Sequence, residues 1–126
     1  MSEGPTLNAC LEKMPLIAIL RGISPAEAIP VTDILFEEGF TIVEVPMNSP
    51  DPLESIGAIA KAYGDRMVVG AGTVMSEEIV NSIADVGGRL IVAPHFAPEV
   101  VKAAKARGMY CCPGVQTPTE AFSALK

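Results

Sequence analysis

Within the run Ile42-Val43-Glu44-Val45-Pro46, an acid interrupts residues that otherwise belong in a protein interior. Ionising a carboxyl there without a partner is costly. Two uses fit such a residue. One is an ion pair with Arg21, which follows the preceding apolar run. The other is general acid/base work by a carboxyl whose pKa is tuned by burial. Arg21 itself offers a fork of donors suited to a carboxylate or phosphate, although it serves equally as a partner for Glu44 or as a solvated loop residue. The stretch Gly70-Ala71-Gly72-Thr73 would let backbone N–H groups and a hydroxyl approach an anion closely. It is short and lacks a third glycine, so a plain tight turn fits it as well. His95, the one histidine, has no cysteine or carboxylate at ligand spacing and reads as a surface or satisfied histidine. Cys10, Cys111 and Cys112 show no C-x-x-C spacing and read as reduced core thiols. No metal site and no cofactor site is expected.

The elements that must position these residues follow from the patterning. Short apolar runs occur at Leu16–Leu20, Ile42–Val45, Met67–Gly70, Leu90–Ala93 and Met109–Cys112. Each is too short and too uniformly apolar for a half-exposed strand, which suits strands covered on both faces of a parallel sheet. Their starts, at residues 16, 42, 67, 90 and 109, lie 26, 25, 23 and 19 residues apart. Such an interval holds one strand, one helix and two loops, so five βα units are predicted, preceded by a short helix over residues 7–13.

Helix boundaries carry their own signals. Ser24, Pro25 and Glu27 place a cap, a first-turn proline and a third-position acid, and Thr117, Pro118 and Glu120 repeat the pattern. The first of these helices should present Val31, Ile34 and Leu35 on one apolar face and stop at Gly39, with a kink or an early bend at Pro30. Further helices are predicted over 52–63, 77–86 and 98–107, ended by Gly64, Gly87 and Gly108. With no linker or low-complexity tract, residues 1–126 read as one domain.

In parallel βα sheets and barrels, ligands bind at the C-terminal ends of the strands. Those ends carry Arg21-Gly22, Glu44 with Asn48, Gly72-Thr73, Pro94-His95 and Pro113-Gly114. One rim therefore gathers Arg, Glu, Asn, Thr and His. The formal net charge of −6 and pI of about 4.7 argue against a nucleic-acid partner. With 49% hydrophobic residues and a mean hydropathy of +0.38, the chain is far from a disordered composition. No apolar run reaches the roughly 18 residues of a membrane helix. The N-terminal MSEGPTLNAC lacks the basic and apolar regions of a leader, so a soluble, cytoplasmic protein is expected.

At these strand ends the chain resembles the 2-keto-3-deoxy-6-phosphogluconate (KDPG) and 6-phosphogalactonate (KDPGal) aldolase family. The resemblance lies in PLIAILRGISPAEA (15–28), VEVPMNSP (43–50), VGAGTV (69–74), LIVAPH (90–95) and CPGVQTPTEAFSAL (112–125), in order and at family spacing. The Asn-Ser-Pro after the strand-two acid is more similar to the phosphogalactonate branch. The resemblance implies a (β/α)8 barrel, usually trimeric, that cleaves a 2-keto-3-deoxy-6-phospho sugar acid to pyruvate and glyceraldehyde 3-phosphate through a lysine Schiff base, without metal. It implies proton shuttling by Glu44, carboxylate binding by Arg21 and Thr73, and pocket-lining roles for Asn48 and Pro94.

A complete barrel of this type takes about 250 residues, so 126 supply about half. By the same resemblance the Schiff-base lysine lies in the strand after the helix holding PTEAFSAL, and this chain stops within that helix at Lys126. Lys13, Lys61, Lys102 and Lys105 read as polar helix-face residues, where nothing lowers an amine's pKa. The expectation is the N-terminal portion of an aldolase barrel, inactive by itself and prone to self-association along its unpaired edges. Two rivals remain at this point. One is a non-catalytic half-barrel that binds or assembles. The other is an open flavodoxin-like sheet of order 2-1-3-4-5, whose signalling version wants acids where this chain has Arg21 and Gly22.

Overall fold

A computed structural model describes residues 4–126, so the first three residues of the segment read above as leaderless lie outside it. The chain runs α1 (Leu7–Lys13), β1 (Ala18–Ile19), α2 (Pro25–Glu37), β2 (Ile42–Pro46), α3 (Pro52–Tyr63), β3 (Val68–Gly72), α4 (Glu77–Asp85), β4 (Leu90–Ala93), α5 (Pro98–Ala106), β5 (Tyr110–Pro113) and α6 (Pro118–Ala124). All five strands are parallel and lie in the order β1-β2-β3-β4-β5. Strand one sits at an edge and not between strands two and three, which rules out the flavodoxin-like order and matches the consecutive winding of a barrel.

Alternation along the strands sorts side chains onto two faces. Val43 and Val45 of β2, Val69 and Ala71 of β3, and Ile91 and Ala93 of β4 pack with Ile56, Ile59, Val80, Ile83 and Val100 from the helices. Their intervening neighbours Ile42, Val68 and Leu90, which open the same strands, form a second cluster with Cys10, Leu7 and Leu11 of α1. The leading helix thus covers the N-terminal end of the inner face. Both faces being covered is why the strands read as continuous apolar runs. Glu44 is two residues beyond Ile42 and so points to the inner face one layer nearer the C-terminal rim.

Both capping patterns form. The Glu27 carboxylate accepts the Ser24 backbone N–H at 2.9 Å, and the Thr117 hydroxyl and Glu120 carboxylate exchange bonds with each other's backbone at 3.2 and 2.8 Å. Gly39, Gly87 and Gly108 end helices at positive φ, whereas Gly64 caps α3 in the right-handed region. α2 continues through Pro30 to Glu37 as one helix. Two expectations are corrected. Ile34 is 61% exposed, and the buried residue on that stretch is Thr32, whose hydroxyl donates to the Ala28 carbonyl at 2.7 Å and so needs no outside partner. Of the cysteines only Cys10 is buried; Cys111 and Cys112 are half-buried because β5 is an edge strand.

Two glycines separate packing from propensity. A Cβ on Gly70 would lie 2.1 Å from the Leu90 carbonyl oxygen on β4, whereas one on Gly57, inside α3, would meet only Val86 at an ordinary 3.5 Å. Gly57→Ala is therefore expected to stabilise by about 0.5–1 kcal/mol, and Gly70→Ala to destabilise by about 1–3 kcal/mol through overpacking. Urea unfolding midpoints at unchanged slope check both.

Candidate active site

Glu44 lies in a strand whose five residues are all buried, and it is itself only 3% exposed. It pairs in register with Ile19 of β1 and Gly70 of β3. Its Oε2 is buried and accepts no hydrogen bond among the described residues. Room for the carboxylate comes from Gly72, where a Cβ would stand 2.2 to 2.6 Å from the carboxylate atoms. Burial, the dominant cause, pushes the Glu44 pKa above its ordinary value, while the Arg21 charge and the Gly72 backbone amide pull it partly back. The result is a buried acid whose proton is held more tightly than usual, beside a positive charge.

Arg21 and Glu44 are not ion-paired; the described salt bridges are Arg66 with Asp65 and Arg107 with Asp85, both at the surface. The Arg21 guanidinium instead donates from Nη1 to Asn48 Oδ1 at 2.9 Å. The next residue, Gly22, turns at φ +81° and donates its backbone N–H to the Ser49 hydroxyl at 3.0 Å. The loops after β1 and β2 are thus joined at two consecutive positions. From sequence Ser49 was named only within the Asn-Ser-Pro run and given no role of its own, its further signal being a small polar residue directly before the Pro-Asp-Pro turn.

Thr73 follows Gly72 at the end of β3 with φ +58°, a left-handed conformation that a β-branched residue rarely adopts and that costs about 1–3 kcal/mol. Strain of this kind collects at working sites. Pro94 and His95 are exposed at the end of β4, where their backbone approaches so closely that a Cβ on Gly114 would lie 2.4 Å from the Pro94 carbonyl oxygen. Arg21 and Asn48 are in direct contact, and Glu44 and Thr73 flank Gly72. Pro94 shares the rim by strand order but makes no hydrogen bond to the others. All five lysines are exposed, and none belongs to a strand.

Residues 7–126 match the family model of KDPG and KHG aldolases. The chain belongs to that family. It is 50% identical over 114 residues to the 2-dehydro-3-deoxy-6-phosphogalactonate aldolase of Escherichia coli K12, covering 90% of this chain and 56% of that one. It is 51% identical over 110 residues to a probable enzyme of the same description from Rhizobium meliloti 1021, covering 87% of this chain and 52% of that one. Among solved structures, native KDPGal superposes with a TM-score of 0.87 at 50% identity, covering 90% of this chain and 55% of that chain. The chain spans about half the length of the curated relatives it matches. Its five βα units form part of an aldolase-type (β/α)8 barrel.

The raised Glu44 pKa has a definite consequence for stability. The folded protein binds this proton more tightly than the unfolded chain, whose carboxyl stays near 4.5. Ionisation of Glu44 therefore costs the fold nothing below about pH 4.5, and stability declines as pH rises through the raised value. Glu44→Gln is neutral throughout, so its melting temperature should equal that of the parent at roughly pH 4 and exceed it at roughly pH 8. A glutamine variant that melts lower at the alkaline end would show that the charge is held favourably.

Proposed function

We propose that this chain carries the carboxylate-binding and proton-shuttling side of a class I aldolase acting on 2-keto-3-deoxy-6-phosphogalactonate or its gluconate epimer. The observation that carries it is the Glu44 carboxyl, buried on the inner face with an unpartnered oxygen beside the Arg21 charge. Family membership supplies the reaction class, and the 50% identity to a phosphogalactonate aldolase favours that epimer.

In this reading Arg21 and the Thr73 hydroxyl bind the C1 carboxylate of the substrate, and Asn48 and Pro94 line the pocket. An amine condenses with the C2 ketone, losing water and leaving an iminium. The C4 hydroxyl gives up its proton as the C3–C4 bond breaks. The bonding pair moves into the iminium to form an enamine, and glyceraldehyde 3-phosphate departs. Glu44 accepts that proton and returns one to C3, after which hydrolysis releases pyruvate and regenerates the amine. A group with a pKa drawn toward neutrality suits this two-way traffic better than an ordinary carboxylate.

The amine comes from outside these 126 residues in this reading, because each of the five lysines is exposed to water and none lies in a strand facing Glu44. The assembled enzyme is a cytoplasmic homotrimer in this reading, and residues 1–126 act as one domain. A second reading rests on the same lysine placement: the chain alone is a non-catalytic module that binds small keto acids through Arg21 and Thr73.

Borohydride reduction in the presence of pyruvate tests the division of labour. The 126-residue chain should take up no covalent adduct, whereas a chain of the relatives' full length should trap one pyruvoyl group on lysine. An adduct on the short chain would overturn the lysine assignment. In the full-length protein Glu44→Gln should lower kcat by about 10²- to 10⁴-fold with little change in substrate affinity. An unchanged kcat would remove Glu44 from the mechanism.

A further inference from the structure

We propose that Ser49 is a positioning residue for Arg21, acting with Asn48 as a two-point tie that sets the guanidinium relative to the Glu44 carboxyl. Strand β1 has only two residues and one neighbour, and Arg21 lies beyond its last register pair, Ile19 with Glu44. Gly22 then turns the chain at positive φ. The last hold of the sheet is the Leu20 N–H, which donates to the Glu44 carbonyl at 2.9 Å; it fixes the backbone before Arg21 but neither the guanidinium nor the flexible residue that follows.

The restraint comes from the loop after β2. Ser49 is 8% exposed, and its backbone N–H donates to the carbonyl of Pro46, the last residue of β2, at 3.0 Å. Its hydroxyl is therefore fixed to the same strand that carries Glu44. That hydroxyl accepts the Gly22 N–H, and the adjacent Asn48 amide oxygen accepts Nη1 of Arg21. Backbone and side chain of the Arg21-Gly22 pair are thus both referred to β2. A carboxylate ligand would take donors of the guanidinium other than the one already given to Asn48. The ligand arm rests on the carboxylate-binding role proposed above for Arg21; the tie itself does not.

Two readouts on the 126-residue protein separate these dependencies. The first is the titration midpoint of the Glu44 side-chain carboxyl, followed by carbon-13 NMR without ligand. Among the described residues, Arg21 is the charged group bearing on that carboxyl, and the Gly72 amide is the polar one. The second is pyruvate affinity from chemical-shift titration. Ser49→Ala should move the Glu44 midpoint upward, in the direction that Arg21→Gln moves it, and weaken pyruvate binding by about 2- to 10-fold, as the loss of one hydrogen bond predicts. A purely structural serine would lower the melting temperature and leave both readouts where they were, which overturns the proposal. Should Ser49→Ala fail to fold, Asn48→Ala, at an exposed position, must shift both readouts in the same directions, and no shift there is equally fatal. If the parent protein binds no pyruvate, the carboxylate-binding role fails. A midpoint that still moves in Ser49→Ala then supports the tie on its own.

Discussion

A carboxyl buried in the middle of a parallel sheet is the constraint around which this structure is arranged. Glu44 stands where the strand pattern calls for another aliphatic residue, and it is nearly as inaccessible as Val43 and Val45 on either side. An acid in that position needs space, a compensating charge, or protonation. The space is supplied by Gly72, which has no Cβ to strike the carboxylate. The charge is supplied by Arg21, near enough to act on the carboxyl yet hydrogen-bonded elsewhere. An ion pair would have held Glu44 permanently ionised and occupied the guanidinium. Keeping the two apart leaves the carboxyl free to titrate and most of the guanidinium donors unspent.

Topology makes this arrangement possible. Consecutive parallel strands bring every strand end to one rim, so residues from Arg21 to Pro94 meet there without long connections. The opposite end of the inner face is closed by α1, whose Leu7, Cys10 and Leu11 pack on Ile42, Val68 and Leu90. The inner face is therefore apolar at its base and polar at its rim, and Glu44 sits at the boundary between the two.

Much of this could be read before any coordinates. The five strands, their succession along the chain as βα units and both capping boxes follow from apolar runs, their intervals and local cap chemistry, because each is a short-range property, whereas the order of the strands within the sheet stayed open between two topologies. Glu44 stood out for the same reason, as a charge inside an apolar run. What could not be read depends on three-dimensional neighbours. Gly70-Ala71-Gly72-Thr73 looked like an anion loop, yet Gly70 is needed for the close approach of Leu90 and Gly72 for the bulk of Glu44. The period of two that places both glycines on the Glu44 face was visible, but not the clash each avoids. Ser49 was missed because a lone serine before proline is common turn chemistry. Ile34 was placed inward by helical periodicity, but the face of α2 that meets the sheet is set by Ala28 and Thr32.

Burial falls away from the centre of the sheet toward both edges. Strands β2 and β3 are wholly buried and β4 nearly so, while β5 is half-covered and α6 buries no residue, leaving Phe122 69% and Leu125 83% exposed. At the other edge Ile19 of β1 is exposed as well. Edge elements with few apolar contacts open at lower free energy than the core. Glu44 and Arg21 therefore sit at opposite extremes: the acid in a wholly buried strand, the arginine just past an exposed edge. A guanidinium carried by a fraying edge would wander relative to the carboxyl by more than the tolerance of roughly 0.5 Å that a working site demands. The strand ladder reaches as far as the Leu20 N–H, which donates to the Glu44 carbonyl at 2.9 Å, and beyond that bond the edge is held to β2 by its following loop, through Asn48 and the buried Ser49.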